Sequence, residues 1–349
     1  NDTATTEIYT LTRSSAASDV YKRQGQFQTR ASASGHAVVP LTDFRHSSIG
    51  NSPLINESKG SYMLRIWSVV VLGFLPIVAF SQGASPTLER IAETGKFRIG
   101  YVPDAAPLSF KDSYGNPVGY SISLCRMIAA SIRDQLGMED LELEFKELNM
   151  VEDRLRAVES GKVDIECGAT TVTLTRRERV DFTLMTFITG AAILSRKEKP
   201  IQTIDELSDQ VIAAVRGTTT EQVLRQFADV NRTKLKVRFV DTHDKGMELL
   251  NEGKVEGYAS DRAMLLGQIF RFPDMAGDYL LTKRALSFEP YALMVKRGDT
   301  EFRLAADRAL ASVFRSAQIR RIYQEWFGRY GEAMSPIVAA MYQFQAVGE

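Results

Sequence analysis

The chain has 349 residues, 44% of them hydrophobic and 25% charged, with 43 basic residues against 43 acidic ones. It is long enough for one or two domains with a real core, and its composition excludes collagen-like, disordered and disulfide-dense classes. Zero formal net charge removes any general attraction to nucleic acid or anionic membrane, and two cysteines with three histidines argue against a Cys/His zinc module.

The first third is leader-like. Residues 1–62 are rich in Ser, Thr and Ala and show no sustained period of 2 or 3.6. Ser14-Ser-Ala-Ala-Ser-Asp-Val-Tyr-Lys-Arg-Gln24 resembles a translated sequencing adapter. This stretch is expected to be non-native or disordered, outside the natural product. Residues 63–81 read as a secretory signal: Met63, an early basic Arg65, an apolar run from Trp67 to Val78, then Ala79 and Ser81 at the −3 and −1 positions of a cut before Gln82. An uncleaved anchor is the alternative, but the run is shorter than the ~20 residues of a membrane span. No cysteine sits at the cut, so a lipid anchor is not indicated. Beyond it the net charge is −2, His243 is the last histidine left, and both cysteines lie in a compartment that permits a disulfide. The expected product is exported and soluble.

The remaining chain alternates short apolar runs with amphipathic helical patterns. Residues 97–102 predict a strand, 121–136 a helix, 141–146 a strand, 154–160 a helix stopped by Gly161, and 163–167 a strand. The rhythm restarts with strand 211–215, a helix to about Ala228, strand 236–240, a helix to Asn251 closed by Gly253, and strand 255–259. Both halves contain helix, Gly cap, Lys-Val, strand. Two similar α/β lobes with largely parallel sheets are expected, and their ligand belongs at the carboxyl ends of the strands, between the lobes.

Four post-strand segments are chemically suggestive. Arg176 and its neighbours follow the hydroxyl-rich stretch Ala169-Thr-Thr-Val-Thr; guanidinium groups fit a carboxylate bidentately, although the motif standing alone reads better as a solvated Arg/Glu helix start. Gly217-Thr-Thr-Thr-Glu221 opens a helix and offers either an anion seat or an ordinary capping box. Asp261 is placed to accept from an ammonium or to cap the next helix, and His243 is a ligand contact or a structural histidine. No Gly-x-Gly-x-x-Gly, Walker or His-Glu-x-x-His pattern occurs, and a Ser-His-Asp triad would have to use His243. No cofactor and no metal are expected.

From about Leu88 to Phe344 the chain resembles the extracellular solute-binding proteins of family 3, which feed polar amino acids to ABC importers. The markers are Phe97-Arg-Ile-Gly-Tyr, Pro117-Val-Gly-Tyr-Ser-Ile, Gly161-Lys-Val-Asp, Thr173-Leu-Thr-Arg-Arg-Glu-Arg-Val-Asp-Phe-Thr, Arg216-Gly-Thr-Thr-Thr-Glu and Trp326-Phe. Asp164-Ile-Glu-Cys-Gly-Ala-Thr-Thr looks similar to the glutamate/aspartate-binding branch. The resemblance implies a two-lobed type II periplasmic-binding-protein fold with a discontinuous first lobe, 88–187 and 290–349, around a second lobe at 192–284. The hinge would fall near Thr186 to Ala191 and Arg284 to Glu289.

It further implies that Arg176, Thr171 and Thr219 hold the ligand α-carboxylate, that Asp261 holds the α-ammonium, and that Arg154 and His243 approach the side-chain carboxylate. Ala169 lies at a further ligand-contact position. The chain departs from the acidic-amino-acid binders at Val102, where they carry an arginine, and at Val151 and Ala169, where they carry hydroxyls. Glutamate or aspartate is the first expected ligand, followed by an uncharged amino acid or another carboxylate. A disulfide between Cys125 and Cys167, a membrane permease as partner and a monomeric, non-enzymatic protein complete the expectation. The rivals are a periplasmic dehydratase of the cyclohexadienyl type, with Glu166 moving a proton, and a receptor-type sensor.

Overall fold

The computed structural model describes residues 85–232, 234–271, 273–331 and 333–348. The leader, the signal segment and its cut lie outside the described residues. The first of the described helices, α1 (Pro86–Thr94), begins where sequence rules place it: the Ser85 hydroxyl accepts from Leu88 N, Pro86 occupies the first turn, and Gly95 ends the helix in the left-handed region at φ 66°. Strand β1 (Lys96–Tyr101) follows and becomes an interior strand, one from the edge, of a five-stranded sheet.

That sheet has the order β5-β1-β6-β13-β7, built from β5 (Glu142–Glu147), β6 (Ile165–Glu166), β7 (Val180–Thr189) and β13 (Glu289–Lys296). The second sheet, β10-β9-β11-β8-β12, uses β8 (Ala191–Arg196), β9 (Val211–Val215), β10 (Lys236–Val240), β11 (Gly257–Asp261) and β12 (Tyr279–Leu281). A small antiparallel sheet joins β2 (Asp104–Ala105), β3 (Ser109–Lys111) and β4 (Pro117–Val118). The architecture is the two-lobed α/β fold.

Both large sheets are mixed rather than largely parallel. β1 pairs parallel with β5 and β6, and β9 with β10 and β11, as a βαβ rhythm requires. β13 runs antiparallel to β6 and β7, and β8 antiparallel to β11 and β12. These strands enter or leave a sheet by passing between the two sheets, so no crossover helix sets their direction. Two further differences are local. The ladder expected over 163–167 is confined to Ile165–Glu166. The strand expected over 255–259 is shifted to Gly257–Asp261, because Lys254 N returns to Leu249 O to close the preceding helix and Glu256 N docks on Val211 O.

The two passages between sheets lie side by side. β7 passes to β8 through Gly190 alone, and Leu286 N donates to Ala191 O at 2.7 Å while Ala191 N donates to Ser287 Oγ at 3.2 Å. A Cβ on Gly190 would stand 2.4 Å from Ser287 O, so only glycine fits this approach. Helices α2 (Tyr120–Gln135) and α8 (Thr300–Arg315) cover the first sheet, and Cys125 of α2 is disulfide-bonded to Cys167, just past β6, with Cα atoms 6.4 Å apart. C-terminal residues seal this core: Phe327 stacks on Phe187 at 4.7 Å, the Tyr342 and Tyr120 hydroxyls meet at 2.5 Å, and Trp326 Nε1 donates to Ser123 Oγ.

Candidate functional site

A cleft opens between the sheets where β1, β5, β6, β9, β10 and β11 end. Its walls include Val102, Asp104, Asn149, Arg154 and Ala169 on one side and Thr218, Thr220, Thr242, His243 and Asp261 on the other, with Tyr291 of β13 also lining it. Most of these positions lie at strand ends or in the loops and helix starts that follow them, where chemistry collects in α/β sheets.

Four of the predicted ligand residues, Arg154, Ala169, His243 and Asp261, line this cleft. Arg154, on helix α3 (Val151–Glu159), is 7% exposed and already engaged: Nη1 donates to Thr170 Oγ1 at 3.1 Å and stands 3.5 Å from Glu166 Oε1. Its Nε is buried without a hydrogen-bond partner among the described residues. Glu166 is fully buried, accepts from Thr170 Oγ1 at 2.9 Å, and is not among the cleft-lining residues.

Arg176, Thr171 and Thr219 form a second group beside the cleft. Arg176, in the short helix α4 (Leu174–Arg177), donates through Nη1 to Thr171 O at 2.7 Å and through Nη2 to Gly217 O at 3.4 Å. Burial, with Arg154 nearby, lowers its pKa to about 10, so it stays cationic at neutral pH. The hydroxyls of Thr171 and Thr219 both donate at 2.7 Å to one oxygen of Glu289, whose other oxygen accepts from Ser287. The hydroxyl pair expected to hold a ligand carboxylate thus holds a carboxylate of the chain itself.

Asp261 ends β11, paired with Ala191, rather than following the strand. Tyr291 donates its phenol proton to Asp261 Oδ2, and Oδ1 is buried with no hydrogen-bond partner among the described residues. Burial and the neighbouring Glu289 carboxylate push the Asp261 pKa up to about 7. His243 begins helix α6 (His243–Asn251), and its Nδ1 lies 2.5 Å from the Tyr258 hydroxyl. Burial drives the imidazole towards its neutral form and holds the phenol well above its usual pKa, leaving an uncharged pair. At Gly217-Thr-Thr-Thr-Glu221, Thr218 accepts from Glu221 N and Glu221 accepts from Gly217 N, so the capping arrangement is real and coexists with a cleft-lining role.

Sequence reasoning missed three residues here. Asp104 lines the cleft and accepts from His243 N at 2.6 Å and Asp244 N at 3.3 Å. Glu289 and Tyr291 enter from β13, where a strand-forming run was the visible signal. The position of Asp104 directly past β1 was the usable clue.

Two α/β lobes, each built on a five-stranded mixed sheet, with a polar cleft between them make up the two-lobed type II periplasmic-binding-protein fold. The chain belongs to the bacterial extracellular solute-binding proteins, family 3, whose family model matches residues 97–329. It is 28% identical to the L-glutamate/L-aspartate-binding protein of Pseudomonas aeruginosa, over 74% of this chain and 86% of that one. It is 25% identical to the glutamate/aspartate import solute-binding protein of Escherichia coli, over 71% and 81%. Among solved structures, an ancestral arginine-binding protein bound to glutamine superposes with a TM-score of 0.60 at 28% identity, covering 67% of this chain and 98% of that one.

Proposed function

We propose that this protein is the periplasmic receptor of an ABC importer, capturing a polar amino acid between its lobes and presenting the closed form to a membrane permease. The observation that carries the reading is the pairing, in one cleft, of Asp261, whose buried Oδ1 lacks a hydrogen-bond partner among the described residues, with the buried guanidinium of Arg154. An ammonium satisfies the first and a carboxylate the second, so a zwitterion is complementary to both. Arg176, Thr171 and Thr219 stand behind this pair and shape its wall, and Ala169 and His243 complete the side-chain end. Binding needs no bond-making: a ligand touching both lobes favours the closed form by its differential affinity for it.

The names of the relatives make glutamate and aspartate the first ligands to test. A second reading, an uncharged polar amino acid, is favoured by one observation: Arg154 is already bonded to Thr170 and close to Glu166, while Asp104 places a carboxylate at the backbone of His243. A thermal-shift panel on protein unfolded and refolded to strip carried-over ligand, covering the common amino acids, dicarboxylates and prephenate, separates these. Ligand at 100 times its Kd adds about 2.7 kcal/mol. A shift with glutamate or aspartate supports the first reading, a shift confined to uncharged amino acids the second, and none with any amino acid overturns both. Turnover of prephenate would instead establish the dehydratase.

A further inference from the structure

We propose that Asp104 and Glu289 are positioning residues for ligand capture, two carboxylates that each join the first lobe or its crossing strand to the start of a second-lobe helix and so hold the closed arrangement. The inference rests on the amino-acid-receptor reading only for its ligand, not for its closure. Glu289 opens β13 beside the passage between sheets and is 2% exposed. One of its oxygens receives hydroxyls from both lobes, Thr171 just past β6 and Thr219, the first residue of helix α5 (Thr219–Asn231). Asp104, 8% exposed on β2, accepts from the first two backbone N–H groups of α6. Its backbone carbonyl also receives the Gln268 amide at 2.7 Å, from helix α7 (Arg262–Arg271) of the second lobe.

Negative charge at a helix start is favoured by the unpaired N–H groups and the helix dipole, and charge-assisted hydrogen bonds are about twice as strong as neutral ones. The contacts of Asp104 with α6 and α7 and of Glu289 with Thr219 cross from one lobe to the other and are lost when the lobes separate, whereas the Thr171–Glu289 bond stays within the first lobe. The crossing contacts therefore weight the closed form itself, whichever ligand occupies the cleft. A receptor whose competent form is a fraction of the population binds with its intrinsic Kd divided by that fraction. Loss of either contact should thus weaken every ligand by a common factor, whereas loss of a ligand-touching group weakens ligands selectively.

The test places dyes at the exposed positions Tyr114 and Val230, one in each lobe, and measures single-molecule energy transfer on the full chain without ligand. Asp104→Ala and Thr219→Val should each lower the closed-to-open ratio by about tenfold, and Thr219→Ser, which keeps the hydroxyl, should retain the wild-type ratio. Titrated with L-glutamate and L-glutamine, the two variants should lose affinity for both by the same factor. A closed-to-open ratio that is unchanged in both variants, or too low to measure in the wild type, overturns the proposal. So does tighter binding in Glu289→Gln, which would make Glu289 an occupant displaced by the ligand carboxylate. A ratio that falls in a protein binding neither amino acid upholds the closure role and sinks the ligand reading alone.

Discussion

Replacing Asp261 with asparagine tests the electrostatics of the cleft most directly. Asp261 is 9% exposed, with its carboxyl bonded to Tyr291 on one oxygen and without a partner among the described residues on the other, and its pKa is pushed up to about 7 from an ordinary 3.8. Between those values the folded protein keeps a proton that the unfolded chain has released. Stability contributed by the site is therefore lost as pH rises from about 4 to about 7, and levels off above. A displacement of about three pH units corresponds to about 4 kcal/mol. Asp261→Asn keeps the shape and the acceptor for Tyr291 and cannot ionise. Its unfolding free energy, relative to wild type, should be near zero at about pH 4 and higher by about 2–4 kcal/mol at about pH 8, the lower figure allowing for an unpaired amide. Urea unfolding of ligand-free protein, followed by far-ultraviolet circular dichroism across that range, measures the difference. A constant offset between the two proteins at all pH values would refute the reasoning. The same variant should bind amino acids more weakly, since it removes the charge opposite the ammonium.

Three further outcomes are expected. Arg176→Met should reduce amino-acid binding by about 2–5 kcal/mol in calorimetric titration with L-glutamate, because it leaves the Thr171 and Gly217 carbonyls without their donor and removes the cation behind the cleft; unchanged affinity would remove Arg176 from the site. Reduction of the Cys125–Cys167 bond, which closes a loop of sequence separation 42, should cost about 4 kcal/mol and lower the melting temperature by about 10 °C; coincident melts with and without reductant would contradict this. Gly267→Ala should prop the cleft open, since its Cβ would stand 2.1 Å from the backbone oxygen of Ala106 across the lobes. About tenfold weaker binding and a larger radius of gyration by X-ray scattering are expected, and an unaltered radius would show that the contact yields.

The elements legible in the sequence were those whose signals are local. The Gly161 and Gly253 caps, the alternation in 141–146 and the apolar run 211–215 each report a neighbourhood of a few residues, and all correspond to observed elements. The direction of β8 and β13 was not legible, because periodicity tells a strand from a helix but not parallel from antiparallel. The site divided the same way. Asp261 and His243 announced themselves as polar residues at strand ends. Asp104 and Glu289 owe their roles to partners 139 and 118 residues away, a relation that no window of sequence contains. Thr171 and Thr219 carried the right chemistry for a carboxylate, yet the one they hold belongs to the chain.

The place of β13 in its sheet has a consequence for biosynthesis. It lies between β6 and β7, yet both of those strands are made about a hundred residues earlier, and the whole second sheet, β8 to β12, is made before it. As the chain is synthesised from its amino end, the second sheet can close while the first still has an unfilled gap with unpaired backbone groups on both sides. Open strand edges invite pairing with other chains. The first lobe therefore passes its period of greatest exposure late, and a chain cut short before residue 289 would display that gap permanently. Truncated products should aggregate through the first sheet even though the residues of the second are all present.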